Sequence, residues 1–535
     1  MAQPPRPAMM MAMARPDPPE PTLIIWICFA AMAVGNFMSL LDVQIVASAI
    51  GDIQAGIGAS RDEVSWVQTS YLIAEVIAIP LSGFLGRALG VRLLFSTAAI
   101  GFSLMSMACA MAWDLPSLIV FRALQGFIGG ALIPTTMSMS FLVFPQRHQP
   151  MSSKIIGLVS TLGPTLGPSL GGWIAETFDW RWLFWVNVVP GITIATIVWR
   201  NLKMPGPNWE MLKAIDLYGL AALAVTLGAA QYTLQQAPKD GWTDPGILAF
   251  AAISLISLVV FLFRALRRPI PIVDLRPFAN PSFLVATMLG FVLGAALFGP
   301  VYLQPVFLAQ VRGFNPLQIG HTLFAQGITM MVMAPFTARI AQKISDPRPF
   351  AAGAFGLIAL SCWMQGQLTA ESGLDQFVIP QILRGMGMMT AFVTVMRPAF
   401  ATLSAELVQS ATGLFNLVRN MGGAFGIALL LTVQSHFLAL HRQELYAAAN
   451  PAQQKVQDML QGMSANMANQ GWRGDPDMAA LGNYSFYLDR EALVMTFNNE
   501  FQTLVIALVV AMFGVFLMRK PAMIAAPAPA VAEAR

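Results

Sequence analysis

The sequence predicts an all-α polytopic membrane protein: two halves of six spans each, with two further spans inserted between them, fourteen in all. Three observations lead there. Hydrophobic residues make up 56% of the 535 and charged residues only 11%, against roughly 25% charged in a soluble domain. Apolar runs of spanning length, about 20 residues, recur from one end to the other. The chain also repeats itself: "PLSGFLGRALGVRLLF" from Pro80 and "PFTARIAQKISDPRPF" from Pro335 align without a gap.

Residues 1–22 are rich in Pro and Met and lack an apolar signal core, so they read as a disordered tail. The first half, 23–200, holds runs at 23–49, 62–85, 91–112, 115–139, 152–175 and 181–200. A linker, 201–276, carries the inserted runs 215–235 and 246–265. The second half, 277–518, has runs at 282–308, 316–341, 350–369, 377–400, 408–436 and 501–518, with a long loop over 437–500 and a tail over 519–535. An even number of spans puts both termini on one side. The loops on that side hold most of the cations, Arg87, Arg92, Arg147, Arg200, Arg264 and Arg339 among them. The positive-inside rule therefore makes both termini cytoplasmic. The net charge of +4 is spread over these short loops and gives no nucleic-acid signal.

The repeated segments each join the second span of a half to its third. The fourth spans correspond too, "FRALQG" (Phe121 to Gly126) beside "QILRGMG" (Gln381 to Gly387). Six spans in parallel repeat are the plan of the major facilitator fold.

The stretch "GLVSTLGPTLGPSLGGWI" (Gly157 to Ile174) would be a loop in water. In a bilayer nothing competes for the backbone, and a helix survives its glycines and prolines. Gly163, Gly167 and Gly171 then form one flat stripe, and Pro164, Pro168 and Gly172 the next. Small residues four apart let another helix approach closely. The expected partner is the other half, across the seam where the halves rock.

At these residues the chain resembles the fourteen-span drug:proton antiporters of the major facilitator superfamily, and most closely their EmrB/QacA-type branch. The resemblance runs over about residues 23–518. "GxxxGPxxGG" at Gly163 to Gly172 matches that family's fifth-span antiporter motif. "LLDVQIVASAIGDI" (Leu40 to Ile53) matches its first-span motif, with Asp42; "LIVFRALQGFIGGALIP" (Leu118 to Pro134) matches the fourth-span motif, with a buried Arg122 and Gln125 beyond it. "WRWLFWVNVVPG" (Trp180 to Gly191) is similar to the opening of the sixth span, and "GLFNLVRNMGGAFGIAL" (Gly413 to Leu429) to a late-span Arg-Asn-Gly-Gly segment. The gating loop "GFLGRALGVR" keeps Gly83, Gly86, Arg87, Gly90 and Arg92 but lacks the family's acid, which argues against a fixed salt bridge there.

Few ionisable residues lie deep in spans: Asp42, Glu75, Arg122, Arg384 and Arg419. Each is costly in lipid and should face the interior or a partner. A carboxyl that meets water on alternate sides can carry a proton, and a nearby arginine tunes it. Asp42, Glu75 and Arg122 are thus the proton-coupling candidates. Asn36, Gln125, Gln304, His321, Asn416 and Asn420, with Arg384 and Arg419, are candidates for a substrate pathway. Cys28, Cys109 and Cys362 fit neither a disulfide nor a metal set and read as buried hydrophobes. No phosphate loop is present, so ATP does not drive the chain, and no metal or cofactor is expected.

In the outer loop, Asn450 as N-cap and Pro451 begin a helix whose Val456, Met459, Leu460, Met463 and Met467 share one face. Such a stripe wants either its own barrel or a partner. The resemblance implies export of amphipathic small molecules against protons across a bacterial inner membrane. In Gram-negative members it also implies a periplasmic adaptor and an outer-membrane channel. The rival expectations are a proton-coupled transporter of one metabolite, siderophore or fatty acid, and, more distantly, an intramembrane enzyme.

Overall fold

The computed structural model describes residues 19–518, except 146, 205, 214, 269–270, 315, 344–345, 402, 450–452 and 470–472. The first half is α1 (Leu23–Ser48), α2 (Trp66–Ala110), α3 (Leu115–Gly129), α4 (Leu132–Val143), α5 (Gln149–Thr177) and α6 (Val188–Asn201). The inserted pair is α7 (Leu217–Asp240) and α8 (Pro245–Arg267). The second half comprises α9 (Pro281–Gln310), α10 (Pro316–Lys343), α11 (Arg348–Gln365), α12 (Leu374–Ala401), α13 (Ala405–Ala448), α14 (Gln454–Asn469) and α15 (Pro476–Gly514).

Local chemistry sets the ends. Asp114 caps α3 in a reciprocal box with Ser117, and Pro116 fits the first turn, where no donor is needed. Asp244 accepts from Gly246 and Ile247 at the start of α8, and Asn280 from Ser282 at the start of α9. Pro80, Pro300, Pro305 and Pro335 lie inside helices, as the bilayer permits. The gating loop is compressed into a single break in α2 at Gly90, whose φ of 78° suits glycine.

The sequence repeat returns as a packing repeat. In the first half α1 packs on α5, and α2 on α3 and α6; in the second α9 packs on α13, α10 on α12, and α11 on α15. The halves meet along two crossed pairs, α2 with α13 and α5 with α10. The inserted α7 packs on α8 and also touches both α2 and α13, so it closes one flank of the seam. Trp66 stacks on Tyr232 there, and Trp242 donates to Thr432 at 2.9 Å.

Among the described residues ten helices are long and apolar enough to cross a membrane. One of them, α2, holds two expected spans joined at Gly90. Helices α5, α10 and α11 cover the expected spans 152–175, 316–341 and 350–369 but fall outside that class. The long loop expected over 437–500 is mostly helix: α13 runs on to Ala448, and α15 begins at Pro476, well before the expected residue 501. The proposed caps Asn450 and Pro451 lie outside the described residues, as do residues 1–18 and 519–535. Helix α14 lays its stripe on α15: Val456 is buried and Leu460, Met463 and Met467 half-buried, while Met459 stays exposed.

Candidate functional site

Several of the polar side chains buried in the bundle gather into three clusters. In the first half, glycines bring α3 close to α2. A Cβ on Gly126 would strike the Tyr71 carbonyl, and one on Gly130 would lie 2.7 Å from that of Glu75. That approach carries Arg122 to the centre, where it is fully buried and paired with Asp42 at 2.5 Å. Its Nε donates to the Val67 carbonyl at 3.2 Å, and its guanidinium lies 4.2 Å from the centre of the Tyr71 ring. Asp42 accepts two more bonds, from Gln125 at 3.1 Å and Asn187 at 2.8 Å. Asn187 also donates to Ser106. A buried ion pair survives when its remaining valences are met, and here they largely are.

The second cluster sits at the seam. Glu75, on α2, is 5% exposed and has no hydrogen bond among the described residues. The cation acting on it most strongly is Arg419, on α13 of the opposite half, ahead of Arg122. Arg419 is itself fully buried; Asn420 accepts from it at 3.4 Å, and its Nε and one terminal nitrogen are unpartnered. Asn416 donates to the Thr412 carbonyl and to the Met137 sulfur across the seam, and Ser138 bonds Thr412 at 2.6 Å.

The third cluster mirrors the first without its acid. Arg384 donates to Gln326 at 2.8 Å and to Gln304 at 3.5 Å, and Gln381 donates to Gln304 at 2.5 Å. Where the first half sets Asp42 against its arginine, the second sets amides.

Beyond these clusters, the halves also meet near the end of the bundle that carries the described termini. Gly83 there lies against the Gln409 backbone, where a Cβ would be 3.0 Å from the carbonyl oxygen. Arg87 donates to Ser410 and to the Pro271 carbonyl, and Arg92 stacks on Trp199 at 4.7 Å. The missing acid is supplied from elsewhere: Asp274, in the linker, is the opposite charge acting on Arg87 while it pairs with Arg276 at 2.5 Å.

The fifth-span stripe does not face the other half. A Cβ on Gly163 would lie 2.8 Å from Leu40, one on Gly167 would overlap Gln44, and one on Gly171 would lie 2.6 Å from the Ile45 carbonyl, all on α1. The seam is met instead by Gly157 and Leu162, against Phe392 and Gly327. A helix turns about 100° per residue, so stripe and seam occupy different faces of α5. Gly172 is buried; the side chains of Pro164 and Pro168 lie outside the described set.

The expected pathway residues do not line one surface. Gln125 belongs to the first cluster, Gln304 and Arg384 to the third, and Asn416, Arg419 and Asn420 to the seam. Asn36 is fully buried with both amide atoms unpartnered. His321 is exposed beside Phe324, on the same helix side as the exposed Ile328. All three cysteines are buried and free. Asn187, Gln326, Gln381 and Glu500 were not singled out by sequence. Asn187 and Gln381 stand inside segments quoted above, whereas Glu500 fell at the edge of what read as a loop.

Two helical halves in parallel repeat, meeting along crossed pairs and holding buried charge at their seam, define a membrane transporter of the alternating-halves class. The chain belongs to the Major Facilitator Superfamily, whose family model matches residues 32–427. It is 37% identical to the colistin resistance protein EmrB of Acinetobacter baumannii, over 93% of this chain and 97% of that one. It is 27% identical to the multidrug export protein EmrB of Escherichia coli, over 83% of this chain and 87% of that one. Among solved structures, the human organic anion transporter MFSD10 superposes with a TM-score of 0.56 at 12% identity, over 92% of this chain and 99% of that one. That likeness is one of fold.

Proposed function

We propose that this chain exports drugs or other amphipathic small molecules across the bacterial inner membrane, driven by protons flowing the other way. In this reading it has fourteen spans and both termini in the cytoplasm, so that the contacts of Gly83 and Arg87 with the other half belong to the inner gate. The observation that carries the reading is Glu75, buried at the seam without a hydrogen bond among the described residues, with Arg419 of the opposite half the cation acting on it most strongly. Ionised, Glu75 attracts Arg419 and holds the halves together; protonated, it releases them. A proton taken up on one side and lost on the other then couples to rocking of the halves. One proton moving down 150 mV supplies roughly 3.5 kcal/mol.

Asp42 and Arg122 serve differently here. Asp42 already accepts from three side chains, so it organises the first half rather than exchanging a proton. The two EmrB relatives support drugs as the substrate class. In everted vesicles, drug accumulation should require a pH gradient and should vanish in Glu75→Gln, with the protein inserted at its normal level. Full accumulation in that variant would refute the coupling role.

The extension formed by α13, α14 and α15 supports a tripartite assembly, with a periplasmic adaptor and an outer-membrane channel. Met459, Met478 and Phe486 stay exposed on it after α14 has packed on α15. Replacing Met478 and Phe486 by Glu should then leave folding intact and abolish cross-linking to the adaptor. Unchanged cross-linking would mean that Met478 and Phe486 are not the contact, and no cross-link in the wild type would mean a transporter that works alone.

A further inference from the structure

Glu500 lies in α15 and is completely buried. Both of its carboxyl oxygens lack a hydrogen-bond partner among the described residues. One turn before it, Phe497 meets Phe307 of α9 edge-on at 5.4 Å; one turn after it, Leu504 lies against Gly299 of α9. Glu500 is therefore pressed towards α9, whose one ionisable side chain, Tyr302, lies within its electrostatic range. The other neighbours bring no cation to it. Helix α11 carries only Arg348, at its far end and paired with Asp346. The Lys455 and Asp458 side chains of α14 are exposed. On α13, Arg442 pairs with Asp489, and Arg419 lies several turns away beside Glu75. A carboxylate so placed neutralises itself by holding a proton.

A polar relay ends beside it. Asn499, the preceding residue, bonds His441 Nε2 at 2.9 Å. His441 Nδ1 faces Glu444 at 3.4 Å, and Glu444 is exposed at the end of the bundle away from the described termini. The contacts thus run from the exposed Glu444 through His441 to Asn499, the residue before Glu500, and stop short of the Glu500 carboxyl itself.

We propose that Glu500 is a second proton-binding site of the transport cycle, in the half opposite Glu75, exchanging with distal water through Glu444 and His441. The proton adds to a carboxylate oxygen when the site fills and leaves from the same oxygen when it empties. This rests on the proton-coupled reading above, and its test is separable from that of Glu75. Full-length protein is reconstituted in uniformly oriented liposomes, and infrared difference spectra are recorded as the medium at the distal face alone is made alkaline. The wild type should lose the carbonyl stretch of a buried protonated carboxyl. Glu500→Gln should lack that component, and Glu75→Gln should keep it. His441→Ala should slow its loss by about a hundredfold, the low end of what a positioned proton donor contributes. A Glu500→Gln spectrum identical to the wild type would overturn the proposal. So would a Glu500 component that persists at every distal pH, since the acid would then be a locked structural group. If Glu500→Gln fails to insert, Glu500→Asp serves in its place by shifting the component. Loss of the Glu75 component alone bears only on the seam.

Discussion

Asp42 accepts from Arg122, Gln125 and Asn187, whereas Glu75 accepts from none of the described side chains. Two buried carboxyls of similar depth are thereby given different work by their neighbours. Removing the charge of Asp42 strands Arg122 without its counter-ion, which costs about 3–5 kcal/mol for a buried pair. Asp42→Asn should therefore lower the thermal unfolding midpoint in detergent markedly. Asn187→Ala removes one hydrogen bond to a charged group, worth about 1.5–3 kcal/mol, and should lower it less. Glu75→Gln should lower it less than Asp42→Asn, because no hydrogen bond is broken and only the attraction to Arg419 is lost. A midpoint for Glu75→Gln as low as that of Asp42→Asn would reverse these assignments.

Helix α5 carries two contacts on two faces, and they can be broken separately. Gly167→Leu drives a side chain into Gln44, so α1 and α5 must part inside the first half. Overpacking of this kind costs about 1–3 kcal/mol, so less folded protein should be recovered. Gly353→Ala, where a Cβ meets nothing within 4 Å, should be silent. Equal recovery of the two variants would deny the stripe its packing role. The linker makes a pH prediction. Burial works against the charge of Asp274, but the hydrogen bonds and charge of Arg276, with Arg87, outweigh it and hold the carboxyl below its usual range. A depressed folded value contributes stability that is full above the ordinary Asp pKa of about 3.9 and lost as pH falls through the folded value. An acid-stable protease should cut the 271–279 linker faster as pH drops below about 4. Asp274→Asn should be cut quickly at neutral pH as well; equal cutting of both proteins at neutral pH would remove the anchor.

At the scale of the molecule the question is whether the halves rock about the seam. Ser138 and Thr412 approach to 2.6 Å across it, on α4 and α13. A Ser138→Cys, Thr412→Cys protein should form a disulfide under oxidation and stop transporting. Reductant should restore transport, and each single variant should be indifferent to oxidant. Continued transport in the fully cross-linked protein would exclude separation of the halves at this point. The inserted pair raises the same issue, because α7 touches α2 and α13 at once. If the halves part at the seam, α7 must slide on at least one of these two helices.

Much of this was legible in the residues themselves. Apolar runs mark helices because a span must satisfy its own backbone and bury its side chains in lipid, and both demands are local. The repeat announced two like halves, and isolated charges in apolar runs announced their own importance. Pairing was not legible, since it depends on which helix faces meet. Asp42 and Arg122 are neighbours only because glycines on α3 let it close on α2. Glu75 finds Arg419 from the other half, and the fifth-span stripe turns towards α1 rather than the seam. Glu500 escaped notice because polar residues just before it read as loop, whereas tertiary packing continues α15 through them. Sequence determined the solvent, the helices and the cost of each buried charge. Only the packing of one helix face on another decided which charges are answered by a hydrogen-bonded partner and which are not.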